Sequence, residues 1–518
     1  MPSLVGSEMC IRDRSTIECC LGASSDGMLP ATRTLDAEAA ALREVCAAPP
    51  LNTALATTSA AALRPAAALG RAATVLVVYE RELSGTSGSD VRLRSVLFYL
   101  LSELGVTVHF LHRASTVRPV RPLHETGAAL LGAHGSRVVW HVMDDGLSGL
   151  NASWIAHHSI DAVIGFLWFD RIGLPPLPPL IGQPVHAART LTLRNIPFAI
   201  LTDDVHWLRR QAVGDSSVRV ARVRAVEAWL ASHPHIDAIF TVSEQDEYQY
   251  LQLRGGHAQN ARLPATETVP LASFSPAPAP RLDPARRKRS LEKREYVTFV
   301  GTPHRSNQQD VRWFLTKVLP VVAQRLRELP LARDVKVALV GGYRFINTDT
   351  GKLVSRNWTV ELAEIAETAS PSELQALRGV ECFGQVQDDA MRKLLKRSRV
   401  MINPVQFVGS GISTKVLTGM EARVPVVTTT VSGLRCIAES CAGVKYVPHG
   451  DVQAFAEAVV SLILDDELFE EVVQRASRQV RLQLSLRSYK DLGVFERFLS
   501  RVFSPFDRPN VDDGAVHV

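Results

Sequence analysis

From Thr74 onward, short apolar runs alternate with segments of helical periodicity, and this alternation restricts the fold more than any other feature of the sequence. The first run, residues 74–79, is continuous and rich in β-branched residues, as a buried parallel strand should be. A Gly/Ser loop, a helical segment at 91–104 and a second apolar run at 106–111 follow, which is the pattern of a βαβ crossover. Further strands are predicted at 137–143, 161–169, 197–202 and 237–243.

A second series of the same kind begins at residue 296, after a proline-rich break at 275–280 and a basic run at 286–289. Its strands are predicted at 296–301, 336–341, 380–386, 400–404 and 425–429. Its helices are predicted at 310–328, 388–398, 412–422, 452–464 and 467–484. Regular alternation of strand and helix is typical of doubly wound α/β domains, so the predicted fold class is α/β, with two Rossmann-like doubly wound domains facing a cleft.

The chain of 518 residues is long enough for two such domains and additional segments. Residues 47–73 contain no Asp or Glu and are rich in Ala, Thr and Ser, which is typical of a disordered extension or of a transit peptide. The start, residues 3–13, resembles a translated sequencing-adaptor remnant. The predicted parts are an extension at 1–73, an N-terminal domain at 74–275, a linker at 276–294, a C-terminal domain at 295–485, and a C-terminal helix and tail at 486–518.

Composition excludes several classes of protein. The net charge of +5 is mild for this length, so no nucleic-acid partner is expected. No apolar run approaches the roughly 18 residues that a membrane span needs. None of the seven Cys shows zinc-like spacing, and a reducing compartment is expected. The predicted location is therefore cytoplasmic, with a plastid as the alternative.

Residues 403–417 form the loop with the strongest chemical signal. Gly409, Ser410 and Gly411 follow a predicted strand and open a helix, and Lys415 lies about one turn into it. Glycines let backbone N–H groups approach a phosphate, and the helix N-terminus and the lysine add positive charge. This pattern indicates a site for a departing diphosphate. The alternative is a glycine-rich loop chosen for tight packing of helix against strand.

A second loop, residues 299–307, leaves the first strand of the C-terminal domain. It follows Gly301 with His304, Arg305 and Asn307. Arg305 is placed to reach the same diphosphate as Lys415, and His304 or Asn307 to bond a hydroxyl. An exposed turn with incidental charge is the alternative.

Two loops of the N-terminal domain complete the set. The loop at 85–90, which includes Gly88, lacks the full GxGxxG pattern of a dinucleotide site. The segment 200–207 places Asp204 and His206 just past a strand, where they could orient hydroxyls or act as a base. Capping of a helix N-terminus is the plainer alternative for Asp204. This loop has no Asp-x-Asp pair for a hard cation, so no metal is expected.

These loops resemble those of the group 1 glycosyltransferases, family 4, of GT-B fold. The most specific stretch is 408–429, where a Gly-rich loop, a lysine, a helix and a G-x-P-V-V-like strand follow one another. Residues 300–307 resemble the F-V-G … H-x-x-N opening of the family's C-terminal domain, and 384–386 its G-x-V. Residues 204–209 and 241–243 resemble N-terminal segments.

The resemblance implies a donor site in the C-terminal domain, an acceptor site in the N-terminal domain and retention of anomeric configuration. Ser413 and Thr414 would add hydroxyls to the backbone donors of 409–411. The chain departs from the family at the two helix Glu positions, where it has Ser410 and Thr418, and at the donor-sugar His, where it has Asp203. The ribose contact of the second Glu is therefore not carried over to Thr418.

The predicted function is a hexosyltransferase-like enzyme that moves a sugar from a nucleotide-sugar donor to a glycan, lipid or small-molecule acceptor, without a metal or a cofactor. Two alternatives stay open: a non-catalytic GT-B protein that binds a nucleotide or glycan, favoured by Thr418, and a nucleotide-sugar epimerase, which would need no acceptor.

Overall fold

The computed structural model describes most of the chain between residues 73 and 503. The described residues are 73–79, 88–113, 131–143, 152–166, 196–202, 204–212, 214–233, 236–254, 265–269, 291, 293–328, 336–346, 353–406, 413–430 and 443–503. The predictions for the extension before residue 73, for the basic run 286–289 and for Gly409, Ser410 and Gly411 lie outside these residues.

Within the described residues, the N-terminal sheet has seven strands, and all of their pairings are parallel. Its strands are β1 (Thr74–Tyr79), β2 (Thr107–Arg113), β3 (Val138–Met143), β4 (Ala162–Phe166), β5 (Phe198–Leu201), β6 (Ala238–Thr241) and β7 (Ala265–Thr268). They lie in the order β3-β2-β1-β4-β5-β6-β7. β7 was not predicted, because three of the four residues in its sequence ATET are polar and the strand lies at the sheet edge, with every residue only partly buried.

The C-terminal sheet repeats this order over six strands. Its strands are β8 (Tyr296–Val300), β9 (Lys336–Val340), β12 (Val380–Gly384), β13 (Ser398–Asn403), β14 (Val426–Thr429) and β15 (Val444–Val447). The strands β10 (Gly342–Ile346) and β11 (Leu353–Asn357) form a separate antiparallel pair. The order is β12-β9-β8-β13-β14-β15. In both sheets the fourth strand pairs with the first, which is the Rossmann arrangement. Ligands of such sheets bind where the order reverses, here beyond the carboxyl ends of β8 and β13.

Helices cover both faces of each sheet. They are α1 (Gly88–Ser102), α2 (Ala152–His157), α3 (His206–Ala212), α4 (Ser217–Ser232), α5 (Glu244–Leu253), α6 (Arg305–Trp313), α7 (Leu319–Arg327), α8 (Trp358–Thr368), α9 (Pro371–Leu377), α10 (Asp388–Lys396), α11 (Thr414–Glu421), α12 (Val452–Leu464), α13 (Asp466–Gln483), α14 (Leu486–Leu492) and α15 (Val494–Phe503). A π-helical turn at Phe314–Val318 joins α6 to α7. Among the described helices, none is both long enough and apolar enough to cross a membrane.

Alternate residues of each central strand feed the cores on opposite faces. Val75 and Val77 lie in one buried cluster of the N-terminal domain, while Leu76 and Val78 lie in another. This division follows from the period of two along a strand. The C-terminal sheet is divided in the same way, with Ile402 on one face and Met401 on the other.

The last two helices return to the N-terminal domain. Phe495 and Tyr489 pack against Tyr99 of α1, with ring centroids 5.8 and 5.4 Å away. The Tyr99 hydroxyl donates to the Glu496 carboxylate at 2.6 Å, and Arg497 forms an ion pair with Glu267 of β7. These two helices therefore belong to the core of the N-terminal domain, although they follow the C-terminal domain in the chain.

Candidate functional site

Three glycines stand side by side where β8, β9 and β12 end. The Gly301 N–H donates to the Val340 carbonyl at 2.8 Å, and the Gly341 N–H donates to the Gly384 carbonyl at 2.7 Å. Gly341 has a φ of 134°, and a Cβ built there would lie 2.1 Å from the Gly301 carbonyl oxygen. The Trp358 indole N–H donates to that same oxygen at 2.8 Å. The floor of the site is thus bare backbone, which only glycine at 341 permits.

Lys415 projects from the first turn of α11 towards this floor. Its Nζ donates to the Asn307 Oδ1 at 2.8 Å and lies 5.3 Å from the centroid of the Phe299 ring. The lysine is half-buried, so it is neither enclosed in a core nor directed into open solvent. The contact joins residues 108 positions apart and brings the two predicted C-terminal loops together.

Asn307 is held from its other end as well. Its Nδ2 donates to the Thr302 carbonyl at 2.7 Å and lies 3.1 Å from the His304 Nε2. Since Nδ2 can only donate, His304 Nε2 must accept, and the imidazole proton is on Nδ1, which is 2.9 Å from the Ser306 hydroxyl. The pKa of His304 is lowered to about 4 by desolvation of its ring, then by the charges of Lys415 and Arg209. His304 is therefore a neutral group at pH 7.

Asp310 links the first loop to the start of the glycine-rich segment. It is 4% exposed, and its Oδ1 accepts from the Gln406 N–H at 2.8 Å. The Gln406 carbonyl accepts in turn from the His449 Nε2 at 2.8 Å. Gln406 is the last described residue before the segment 407–412, so both of its peptide groups are fixed where that segment begins.

Asp310 and Lys415 also influence each other's ionisation. Burial raises the pKa of Asp310 from 3.8 to about 6, against the opposing effects of Lys415 and of the Gln406 N–H. Burial lowers the pKa of Lys415, and the Asp310 carboxylate opposes that shift. Without the carboxylate, the ammonium form of Lys415 would be less favoured.

The other predicted residues of the C-terminal domain lie around this centre. Arg305 begins α6 and its side chain lies outside the described residues, so its reach towards a diphosphate stays a prediction. Ser413 precedes α11 and its hydroxyl does not cap the helix, while Thr414 is the first helical residue. The Thr418 hydroxyl donates to the Thr414 carbonyl at 2.9 Å, which is a bond within the helix.

Asp204 and His206 lie in a buried network at the start of α3. His206 is 1% exposed, with Nδ1 3.2 Å from Glu227 Oε1 and Nε2 3.3 Å from Asp204 Oδ1. Glu227 also accepts from the backbone N–H groups of His206 and Trp207 at 2.9 and 3.2 Å. Glu227 thereby accepts from the first two backbone N–H groups of α3. The sequence does not suggest this role, because Glu227 lies on α4, 20 residues from Trp207.

Arg209, the last residue of the segment 204–209, extends this network. Its Nη1 donates to Asp204 Oδ2 at 2.7 Å, and its charge contributes to the low pKa of His304 in the other domain. Asp204 thus fixes the position of a guanidinium whose charge acts on His304 from the N-terminal domain. Gly88, the first residue of α1, is described only as a helix start, because the loop before it lies outside the described residues.

Two domains of Rossmann strand order, with a lysine at the switch point of the second, define the class of fold as GT-B. Residues 294–465 match the family described as Glycosyl transferases group 1. The match confirms the predicted resemblance over the C-terminal domain, which is about a third of the chain. Among curated proteins, none matches the chain in sequence.

Solved structures agree on the fold. A glycosyltransferase from Rickettsia africae has 14% sequence identity and a TM-score of 0.54. Sucrose-phosphate synthase from Thermosynechococcus elongatus has 14% sequence identity and a TM-score of 0.53. Anabaena HepE, in complex with UDP and glucose, has 14% sequence identity and a TM-score of 0.54. Each match covers 83% of this chain and 99% of the other. At this identity the likeness shows the fold alone, and the two-domain α/β prediction is confirmed.

Replacing Gly301 with alanine should impair the site more than the fold. The new Cβ would lie 2.9 Å from the Asn307 Nδ2 and 3.0 Å from the Lys415 Cε, so both side chains must shift. We expect turnover to fall about tenfold, while the free energy of unfolding changes by about 1–2 kcal/mol. Gly450→Ala is the control, because that Cβ meets no atom within 4 Å and its φ of 76° affects stability only. Equal turnover in wild type and Gly301→Ala would contradict the placement of Lys415.

Replacing Asp310 with asparagine should alter the pH dependence of turnover. Because the carboxylate raises the pKa of Lys415, its loss should move the alkaline limb of the turnover profile to lower pH. Asp389→Asn is the control, since Asp389 is exposed and pairs with Arg392 on α10. An alkaline limb that stays in place would show that the charge of Lys415 does not govern turnover.

The same substitution should also change stability with pH. The pKa of Asp310 in the folded state, about 6, is higher than its ordinary value of 3.8. The protonated Asp310 carboxyl therefore stabilises the fold fully below pH 3.8, and this stabilisation is lost as the pH rises through about 6. Denaturant unfolding between pH 4 and 8 should show that loss in wild type and not in Asp310→Asn.

Proposed function

We propose that the chain transfers a sugar from a nucleotide-sugar donor to an acceptor, and that the donor diphosphate binds against Lys415. The observation that carries the proposal is the Lys415–Asn307 contact above the glycine floor at the β8–β13 switch point. A bare backbone floor admits a bulky anion, and a charged amine beside it stabilises the leaving group as the sugar–oxygen bond breaks.

UDP-sugars are the first donor class to test. Anabaena HepE has been crystallised with UDP and with UDP-glucose, and its fold matches this chain at a TM-score of 0.53 in the latter complex. The acceptor is proposed to be a glycan, a lipid or a small molecule, bound on the N-terminal side of the cleft near Arg209.

We propose further that transfer needs no metal ion and no cofactor and retains anomeric configuration. Lys415 and the positive end of α11 supply the charge that a divalent cation would otherwise bring to the diphosphate. Retention rests on the resemblance to group 1 enzymes. If the proposal is correct, EDTA leaves donor turnover unchanged, and a loss of turnover that Mg²⁺ or Mn²⁺ restores would contradict it.

Thr418 favours a second candidate, a protein that binds the nucleotide without transferring the sugar. The resemblance places a ribose-binding carboxylate at this position, whereas the Thr418 hydroxyl is bonded to the Thr414 carbonyl. A weaker hold on the ribose would reduce the binding energy available for catalysis.

A panel of UDP-, GDP- and ADP-sugars, read by released nucleotide, separates the two functions. We expect slow hydrolysis of one donor by the wild-type chain, because water replaces a missing acceptor. Binding without release of nucleotide would support the second candidate. Neither binding nor release with any donor would overturn both.

A further inference from the structure

Three histidines meet inside the N-terminal domain, outside the site described above. His109 lies in β2, His141 lies in the edge strand β3, and His158 follows the end of α2. One side-chain nitrogen of each lies within 4.8 Å of those of the other two. The sequence does not suggest this group, because its members are 32 and 17 positions apart.

The geometry is close to that of a metal centre. The His141 Nε2 is 3.0 Å from the His109 Nδ1, and their rings are stacked with centroids 5.1 Å apart. The His158 ring stands 5.1 Å from that of His109 and 4.8 Å from that of His141, tilted at about 60° to both. Ligand nitrogens around a tetrahedral zinc ion, at Zn–N distances of about 2.0–2.1 Å, are separated by roughly 3.3 Å. One pair therefore already has nearly the required spacing, and the third ring needs a shift of about 1.5 Å.

The surroundings support ligand nitrogens rather than an ion-pair cluster. Within the described residues, the group contains no carboxylate and no thiolate. The Trp154 ring packs on His141 and His158, with centroids 4.9 and 4.2 Å away, and shields one side of the group. Burial lowers the pKa of His141 to about 4, and it lowers that of His109 as well. Neutral imidazoles keep the lone pair that a metal ion needs.

The group lies away from the cleft edge of the sheet. His109 pairs in register with Val139 of β3, and its neighbour in β1 is Leu76, the third residue of that strand. Leu76 pairs in turn with Val163, the second residue of β4. The candidate active site lies beyond the carboxyl ends of the strands, so the two sites are separate.

We propose that His109, His141 and His158 form a binding site for a divalent transition-metal ion, zinc first among them. Three imidazole ligands suit Zn²⁺ and other divalent first-row transition-metal ions, whereas Mg²⁺ and Ca²⁺ prefer oxygen ligands. The fourth position is taken by water, since the His141 and His158 side chains are only partly buried. The bound ion ties the edge strand β3 and the end of α2 to β2, and so stabilises the N-terminal domain. This site has no part in the transfer step.

Zinc titration of the chelator-treated full chain, in competition with a chromophoric chelator, tests the site. We expect one tight equivalent of Zn²⁺, and its affinity should fall about a hundredfold or more in His141→Ala, because even loss of an indirect ligand partner costs ten- to a hundredfold. His158→Gln is the second variant, and circular dichroism checks that each variant is folded. His157→Ala is the matched control, because His157 is exposed and adjacent to the group.

Co²⁺ provides the readout that separates histidine ligands from cysteine ligands, since the chain has seven Cys. We expect visible ligand-field bands without thiolate charge-transfer absorption, together with a higher melting temperature. Absence of tight binding, unchanged binding in both His141→Ala and His158→Gln, or a spectrum dominated by thiolate bands would overturn the proposal.

Discussion

We expect Lys415→Met to lower turnover of the nucleotide-sugar donor about a hundredfold, which corresponds to roughly 2.7 kcal/mol of lost transition-state stabilisation. The reason is that the Lys415 ammonium is held by Asn307 at 2.8 Å, and its Cε would lie 3.0 Å from a Cβ built on Gly301 of the glycine floor. Methionine is an unbranched apolar side chain of similar shape, and it removes the charge that lies over the Phe299 ring. Initial rates of nucleotide release at saturating donor measure the effect.

The control for this variant is Lys396→Met. Lys396 is exposed in the last turn of α10, so its loss changes the net charge equally and leaves the site untouched. Melting temperatures of both variants should stay close to that of wild type. Full turnover in a folded Lys415→Met protein would remove this residue from the mechanism.

Gly341→Ala should destabilise the chain by about 4 kcal/mol. The added Cβ would lie 2.1 Å from the Gly301 carbonyl oxygen and 2.6 Å from its carbon, and backbone atoms cannot move aside as a flexible side chain does. A φ of 134° adds the strain of a conformation that residues with a Cβ rarely adopt. Overpacking and backbone strain of about 1–3 kcal/mol each give this magnitude.

Gly384→Ala separates the two contributions. Gly384 also has a positive φ, 59°, but its Cβ would meet no atom within 4 Å. We expect a cost of about 1–2 kcal/mol there, from the left-handed backbone alone. Urea unfolding of the two variants makes the comparison, and equal destabilisation would show that the contact with Gly301 is unimportant.

The fold was accessible from the sequence where the pattern is strong. Continuous apolar runs such as 74–79 and 336–340 formed strands as predicted, because burial on both faces requires them. β7, β15 and the β10–β11 pair were missed, since short edge strands and isolated strands give a weak apolar signal. The helix α6 begins at Arg305 rather than near Asp310, because its polar first turn carries no apolar signal.

The site was accessible only in part. Glycine, lysine and asparagine spacing predicted the two loops, and the Lys415–Asn307 bond joins them. Other contacts depend on tertiary structure that no local pattern encodes. Glu227 accepts from His206 on another helix, Asp310 accepts from the Gln406 N–H 96 positions away, and the charge of Arg209 helps to lower the pKa of His304 in the other domain.

Calorimetric binding of a nucleoside diphosphate, compared with the matching nucleoside, tests the central claim most directly. The nucleoside diphosphate is the one of UDP, GDP and ADP that binds the wild-type protein most tightly, and it is compared with its own nucleoside. Both ligands are measured with the wild-type protein and with Lys415→Met. We predict that the diphosphate binds wild type at least tenfold more tightly than the nucleoside, and that Lys415→Met loses most of this difference while nucleoside affinity is unchanged. An equal preference for the diphosphate in both proteins would contradict diphosphate binding at Lys415.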